Sequence, residues 1–162
     1  MSVFISYRRS DLNLAKDIKA RLDQHGIASY LDVLDGESQQ TDDITKVITK
    51  RVNECTHLIA IVTHITAQSW WVPFEIGEAT ITNKRICSFR AGNSSLPEYL
   101  DKWPQMTALS DMHTFIKNYK KGELTAGLEH RNRSYVLNSV SAKANAEEFH
   151  ATMKRDLRPL VY

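Results

Sequence analysis

The feature that most restricts what this chain can fold into is a repeated change of hydrophobic period. Short apolar runs at residues 2–7, 27–31, 57–62 and 85–89 have the length and the β-branched or aromatic content of strands. Each is followed by a stretch in which apolar residues return at helical spacing. After the first run, Ser10 or Asp11 can cap a helix carrying Leu14, Ala15, Ile18 and Leu22, and Gly26 stops it. After the second comes a polar loop over 32–41, then a helix opened by Asp42 or Asp43 with Ile44, Val47, Ile48 and Val52 on one face. The third run, His-Leu-Ile-Ala-Ile-Val at 57–62, is the most strand-like and is expected at the centre of its sheet. A helix ending near Asn83 and the strand at 85–89 follow it, and residues 106–109 can form a short fifth strand. Ser110 can cap a helix with Met112, Phe115, Ile116 and Tyr119, closed by Lys120-Lys121-Gly122, with 123–134 expected to be irregular. A last helix carries Ala142, Ala146, Phe149, Met153 and Leu157 on one stripe. Strand and helix in alternation predict an α/β fold, a parallel sheet with helices on both faces.

In such sheets ligands bind outside the carboxyl ends of the strands, where the connections part. Three polar groups are expected there: Tyr7-Arg8-Arg9 after the first strand, Asp32 and its loop after the second, and Trp70-Trp71 with Glu75 after the third. Pro73, which has no amide hydrogen, fits only the first turn of a helix and places that helix start at about residues 69–72. Trp71 and Glu75 then lie one turn apart on the same face, while Val72, Ile76 and Ala79 form the core face and Trp71, Glu75 and Glu78 sit nearer the opposite side. Two arginines, an acidic loop, two indoles and a carboxylate suit a ligand with phosphates and rings, and a cation in need of stabilisation. The plain alternative is that Glu75 complements the helix dipole and Trp71 is core. No GxGxxG or P-loop glycine pattern is present.

Composition narrows the function classes. The 162 residues suffice for one domain with its own core, and 42% hydrophobic with 25% charged residues is ordinary for a globular protein. A net charge of +2, without a dense basic run, argues against nucleic acid. Cys55 and Cys87 lack metal or CxxC spacing, and the six histidines are scattered, so buried free thiols and no metal are expected. With neither a leader nor a long apolar run recognisable, a cytoplasmic protein without a membrane span is expected. The basic stretches His130-Arg131-Asn132-Arg133 and Lys154-Arg155-Asp156-Leu157-Arg158 are able to meet a phosphate or an acidic partner, solvated surface being the plain reading.

Four motifs in order, Phe4-Ile5-Ser6-Tyr7-Arg8-Arg9, His25-Gly26, Leu31-Asp32-Val33 and Trp71-Val72-Pro73-Phe74-Glu75-Ile76, resemble a TIR (Toll/interleukin-1 receptor) domain over roughly residues 2–120. The pattern is similar to the catalytic branch, which includes the animal axon-degeneration NADase and bacterial antiphage TIR proteins of the Thoeris kind. The resemblance implies a flavodoxin-like five-stranded parallel sheet over residues 1–122. The extension over 123–162 is not part of what the resemblance implies: it departs from the minimal TIR pattern and is expected from its own helical stripe, as a C-terminal helical extension packed on the domain. The resemblance also implies cleavage of the nicotinamide–ribose bond of NAD as substrate, with no further cofactor. The catalytic glutamate of the family falls on Glu75 and the arginine pair on Arg8 and Arg9. The self-association loop falls on 32–41, beginning at Asp32.

That chemistry suits those residues. Breaking a glycosidic bond to an already cationic nicotinamide builds an oxocarbenium-like ribose, which needs a carboxylate beside the sugar more than it needs an acid. Trp71 is expected to wall the pocket, Arg8 or Arg9 to pair with the pyrophosphate, Tyr7 to stack or fill core, Asp32 to meet ligand or partner or to cap its own loop, and Trp103 to cover the pocket mouth or to anchor its loop beside Pro104. The resemblance further implies a cyclic or conjugated ADP-ribose signal read by a separate effector protein. The alternative function is a non-catalytic adaptor that binds other TIR domains.

Overall fold

The computed structural model describes residues 1–31, 44–64, 71–92, 97–131 and 138–158. Five strands, β1 (Val3–Ser6), β2 (Ser29–Leu31), β3 (His57–Val62), β4 (Arg85–Arg90) and β5 (Gln105–Met106), form one sheet in the order β2-β1-β3-β4-β5. Every pairing is parallel. Between and after them run α1 (Leu12–Gln24), α2 (Ile44–Glu54), α3 (Trp71–Ile81), α4 (Met112–Arg131) and α5 (Asn138–Asp156). The expected central strand is central: all six residues of β3 are buried.

Alternation along the strands sends side chains to two cores. Val3, Ile5, Ile59, Ile61, Cys87 and Phe89 face the helices α1, α4 and α5, joined there by Ile18, Phe115, Tyr119, Phe149 and Met153. Phe4, Leu58, Ala60, Val62 and Ile86 face α2 and α3, joined by Ile48, Val52, Val72, Ile76 and Ala79. Both cysteines are buried free thiols, and burial pushes the Cys87 thiol far up. Gly26 ends α1 with φ +70°, and the amide of Ile27 donates back to the Leu22 carbonyl at 3.0 Å.

Several local expectations change. Neither Ser10 nor Asp11 caps α1 through its side chain: Asp11 holds the N-cap position without a cap bond and receives instead the Thr63 hydroxyl at 3.3 Å. At the start of α4 the side-chain work is done by Asp111, which accepts from the amides of Thr107 and Ala108 at 2.8 and 3.0 Å, rather than by Ser110. Helix α4 does not close at Lys120-Lys121-Gly122 but continues to Arg131. One interior glycine costs about 1 kcal/mol, and Lys120, Lys121, Glu123 and Leu124 around it are good helix formers, so the helix runs through. β2 and β5 are shorter than their apolar runs, and β5 begins at Gln105.

Helix α5 completes the sheet. Ala146, Phe149 and Met153 are buried against the body of the domain. Since β5 pairs with β4 only at Ser88 and Phe89, the amide of Ile86 points past the end of β5, and His150 Nε2 accepts it at 2.8 Å. Burial and the nearby Lys154, Lys102 and Arg85 charges push the His150 pKa down to about 4, which keeps that acceptor neutral. Among the described residues no helix is long and apolar enough to cross a membrane.

Candidate active site

Three strands place small side chains at one level: Ser6 on β1 stands beside Ala60 on β3, which stands beside Ser88 on β4. All three point to the α3 face, and their small size leaves room above the carboxyl half of the sheet. Helix α3 fills that room. It begins at Trp71 with Pro73 in its first turn, as the proline requires. Val72, Ile76 and Ala79 form its core face as expected.

Glu75 is not on the opposite side of that helix. Its exposure is 0%, and its Oε2 accepts the hydroxyl of Ser6. A helix covered by α2, the sheet and the Glu98–Lys102 turn has little outer face left, so position 75 is turned toward β1. A carboxylate is expensive to bury unless hydrogen bonds replace its water. The Ser6 hydroxyl does so from a strand of otherwise apolar residues. It is the partner of Glu75 that the sequence reading missed, although a hydroxyl in a strand buried on both sides already demands a buried acceptor.

The other predicted residues divide. Tyr7, 8% exposed, follows Ser6 but turns to the other face and joins the core with Ile5 and Ile18. Arg8 is half-buried in extended backbone, and Arg9 is exposed at the start of the 3-10 turn Arg9–Asp11. This turn is tied to the end of β3 by the Thr63–Asp11 bond, so the connections after β1 and β3 meet beside Glu75's strand partner. Asp32 and the loop 32–41 lie outside the described residues, as does Trp70; Trp71 is described only as the first residue of α3.

Trp103 does not cover the mouth of this site. It precedes β5, separated from β1 by β3 and β4, and is buried to 8% exposure with Leu100, Val72 and Ile76. A loop indole beside Pro104 has more apolar surface to bury in that core than at a polar edge. Among the described residues no His, Cys, Asp and Glu group is arranged to hold a metal. What the arrangement offers chemically is a desolvated carboxylate, oriented by a hydroxyl, at the strand ends from which two arginines emerge.

The TIR domain family profile matches residues 3–114. Among curated protein sequences no significant relative was found. A 2-deoxyribosyltransferase from Bacillus psychrosaccharolyticus superposes with a TM-score of 0.56 at 10% identity, covering 68% of this chain and 89% of that one. A metazoan TIR-STING receptor from C. gigas gives 0.53 at 22% identity, covering 71% of this chain and 38% of the receptor. The TIR domains of the Roq1 resistosome give 0.46 at 14% identity, covering 95% and 81%. For the first two, at these identities, the likeness concerns the fold: a parallel sheet with helices on both faces. With its five strands in the order β2-β1-β3-β4-β5 and a family match over 3–114, the chain belongs to the TIR domain family.

Proposed function

We propose that this TIR domain cleaves the nicotinamide–ribose bond of NAD, with Glu75 as the catalytic carboxylate. The observation that carries this reading is the buried Glu75 carboxylate held by Ser6 at the carboxyl edge of the sheet. As the C–N bond lengthens, its electron pair leaves with nicotinamide, which departs neutral, and positive charge grows on the ribose. A carboxylate in a dry site stabilises that charge far more than one in water. Ser6 fixes one carboxylate oxygen, and we assign the carboxylate to the face of the sugar on which the charge grows. We assign Arg8, which is half-buried, and Arg9, which is exposed, to the pyrophosphate, and Trp71, one turn before Glu75 in sequence, to the nicotinamide side. Tyr7, packed in the core with Ile5 and Ile18, is assigned to the fold.

Water as the acceptor gives ADP-ribose; a hydroxyl or ring nitrogen of the same molecule gives a cyclic isomer. We assign this chain to signal synthesis of the second kind in antiphage defence, with a separate effector, and assign self-association to the segment 32–41 that begins at Asp32. Zero exposure of Glu75 also favours a second reading, an adaptor in which this carboxylate is structural. Incubation of concentrated protein with NAD followed by chromatography separates the two. Release of nicotinamide that is abolished in Glu75→Gln supports catalysis, and no release even in crowded or assembled protein leaves the adaptor.

A further inference from the structure

The last residue of β4 is a third arginine at the carboxyl edge of the sheet, one that neither the sequence motifs nor the reading above uses. Ile86 packs in the core under α2 and α3, and Cys87 and Phe89 pack in the opposite one. Alternation therefore sends Ser88 and Arg90 to the α3 side, where Glu75 lies. Arg90 is half-buried, and its Nε is a buried donor with no hydrogen-bond partner among the described residues. A buried N–H without an acceptor is costly, and a guanidinium does not relieve the cost by losing its proton.

We propose that Arg90 is a phosphate-binding residue of the Glu75 site, acting together with Arg8 on the pyrophosphate of the substrate. The assignment rests on the NAD-cleaving reading and deepens it, because it makes a nucleotide held by its diphosphate the substrate class.

Register carries the argument. Strands β1, β3 and β4 stand level at Ser6, Ala60 and Ser88, and β3 and β4 again at Val62 and Arg90. Arg8 follows Ser6 by two residues in extended backbone, φ −96° and ψ 156°, while Tyr7 between them turns to the other core. Arg8 and Arg90 are thus brought to one level of one face, on either side of Val62. Their backbones are two strand spacings apart, about 10 Å, and stand about 7 Å beyond the level of Ser6. Side chains as long as arginine can converge from both strands on a group between them. Ser6 holds Glu75 at the lower level. In NAD a ribose separates the scissile bond from the pyrophosphate, which matches a carboxylate at one level and two guanidiniums at the next. A phosphate accepts a guanidinium side-on through Nε and one Nη together, so the unpartnered Nε is the donor that this geometry uses.

Calorimetric titration of the full chain with ADP, which carries the diphosphate and no nicotinamide bond, tests the residue whether or not NAD is cleaved. The expected result is ADP binding weakened about tenfold or more in Arg90→Met, the scale of a lost charge-assisted hydrogen bond. The KM for NAD should rise by a like factor with little change in kcat. Arg90→Lys keeps the charge and loses the fork; it should also weaken ADP, and it keeps the test valid if Arg90→Met loosens the strand end. ADP affinity equal to that of the parent in both variants overturns the assignment, as does absence of ADP binding to the parent at millimolar concentration. A fall in kcat with an unmoved KM overturns it too, since Arg90 would then support Glu75 rather than hold phosphate. A parent that releases no nicotinamide, yet binds ADP through Arg90, loses the cleavage reading and keeps the phosphate site. Release that persists with a KM for NAD unmoved by Arg90→Met keeps the cleavage and overturns the site.

Discussion

Glu75 at 0% and His57 at 1% exposure are deeply buried on opposite faces of the sheet, and they have opposite surroundings. Glu75 stands over the carboxyl ends of the strands and keeps a polar partner, the Ser6 hydroxyl. His57 opens β3 at the amino end and is packed as an aromatic. The rings of Phe115, Tyr119 and Phe149 lie 5.8, 4.7 and 5.1 Å from its own, and Nδ1 meets the Thr56 hydroxyl at 2.8 Å. Burial, and then the charges of Arg85 and the amino terminus, pushes its pKa well down and keeps it neutral. Burial alone therefore does not mark a site; what distinguishes Glu75 is a carboxylate retained with a hydroxyl where the connections part.

The largest effect expected from breaking this contrast is on activity. Glu75→Gln keeps the shape and an oxygen to accept from Ser6, so the fold should survive while NAD cleavage falls by about 10²–10³-fold or more, the scale of removing a transition-state electrostatic contact. Steady-state nicotinamide release with a parallel thermal melt checks both parts. His57→Phe should leave release within about twofold, because that ring belongs to packing at the other end of the strands. An equal loss in the two variants would erase the distinction.

The next effect is on stability and belongs to the α4–α5 side. Phe149 touches His57 and Phe115 and is 6% exposed. Phe149→Ala should cost about 3–5 kcal/mol, or roughly 6–20 °C of melting temperature for a chain of this size. A loss that large in a helix beyond residue 137 would show that α5 is part of the folding unit. Melting within 2 °C of the parent would show that it only rests on the surface.

The sequence carried more of the sheet than of the site. Long apolar runs such as His57–Val62 announce strands, and the five strands, their parallel sense and the two-faced core followed from them. The family motifs pointed to Glu75 as a residue, but a helical wheel put it on the outer side, because periodicity describes one buried stripe and α3 is covered on more than one. Ser6 was hidden for a related reason: its value depends on register with Ala60 and Ser88, which no local pattern encodes. Trp103 was misplaced because proximity to the edge depends on strand order, and the continuation of α4 past Gly122 because one glycine was weighed as a stop without the helix formers around it.

The smallest expected effect is the pH dependence of the same region, and its sign follows from the neutral histidines. His57 and His150 are both pushed below the ordinary value of about 6.5 that they regain in the unfolded chain. Below that pH the unfolded chain binds protons that the fold refuses, so stability is full above about 6.5 and declines as pH falls, for His150 down to its folded value of about 4. Protonation of His150 also removes the acceptor of the Ile86 amide. In His150→Gln an amide oxygen can accept that bond without titrating, so the decline of melting temperature between pH 6.5 and 4 should flatten while the value at pH 7.5 stays close to the parent. An unchanged slope would mean that His57 and the carboxylates carry all of the acid sensitivity, and that the contact of α5 with β4 is held by its apolar stripe alone.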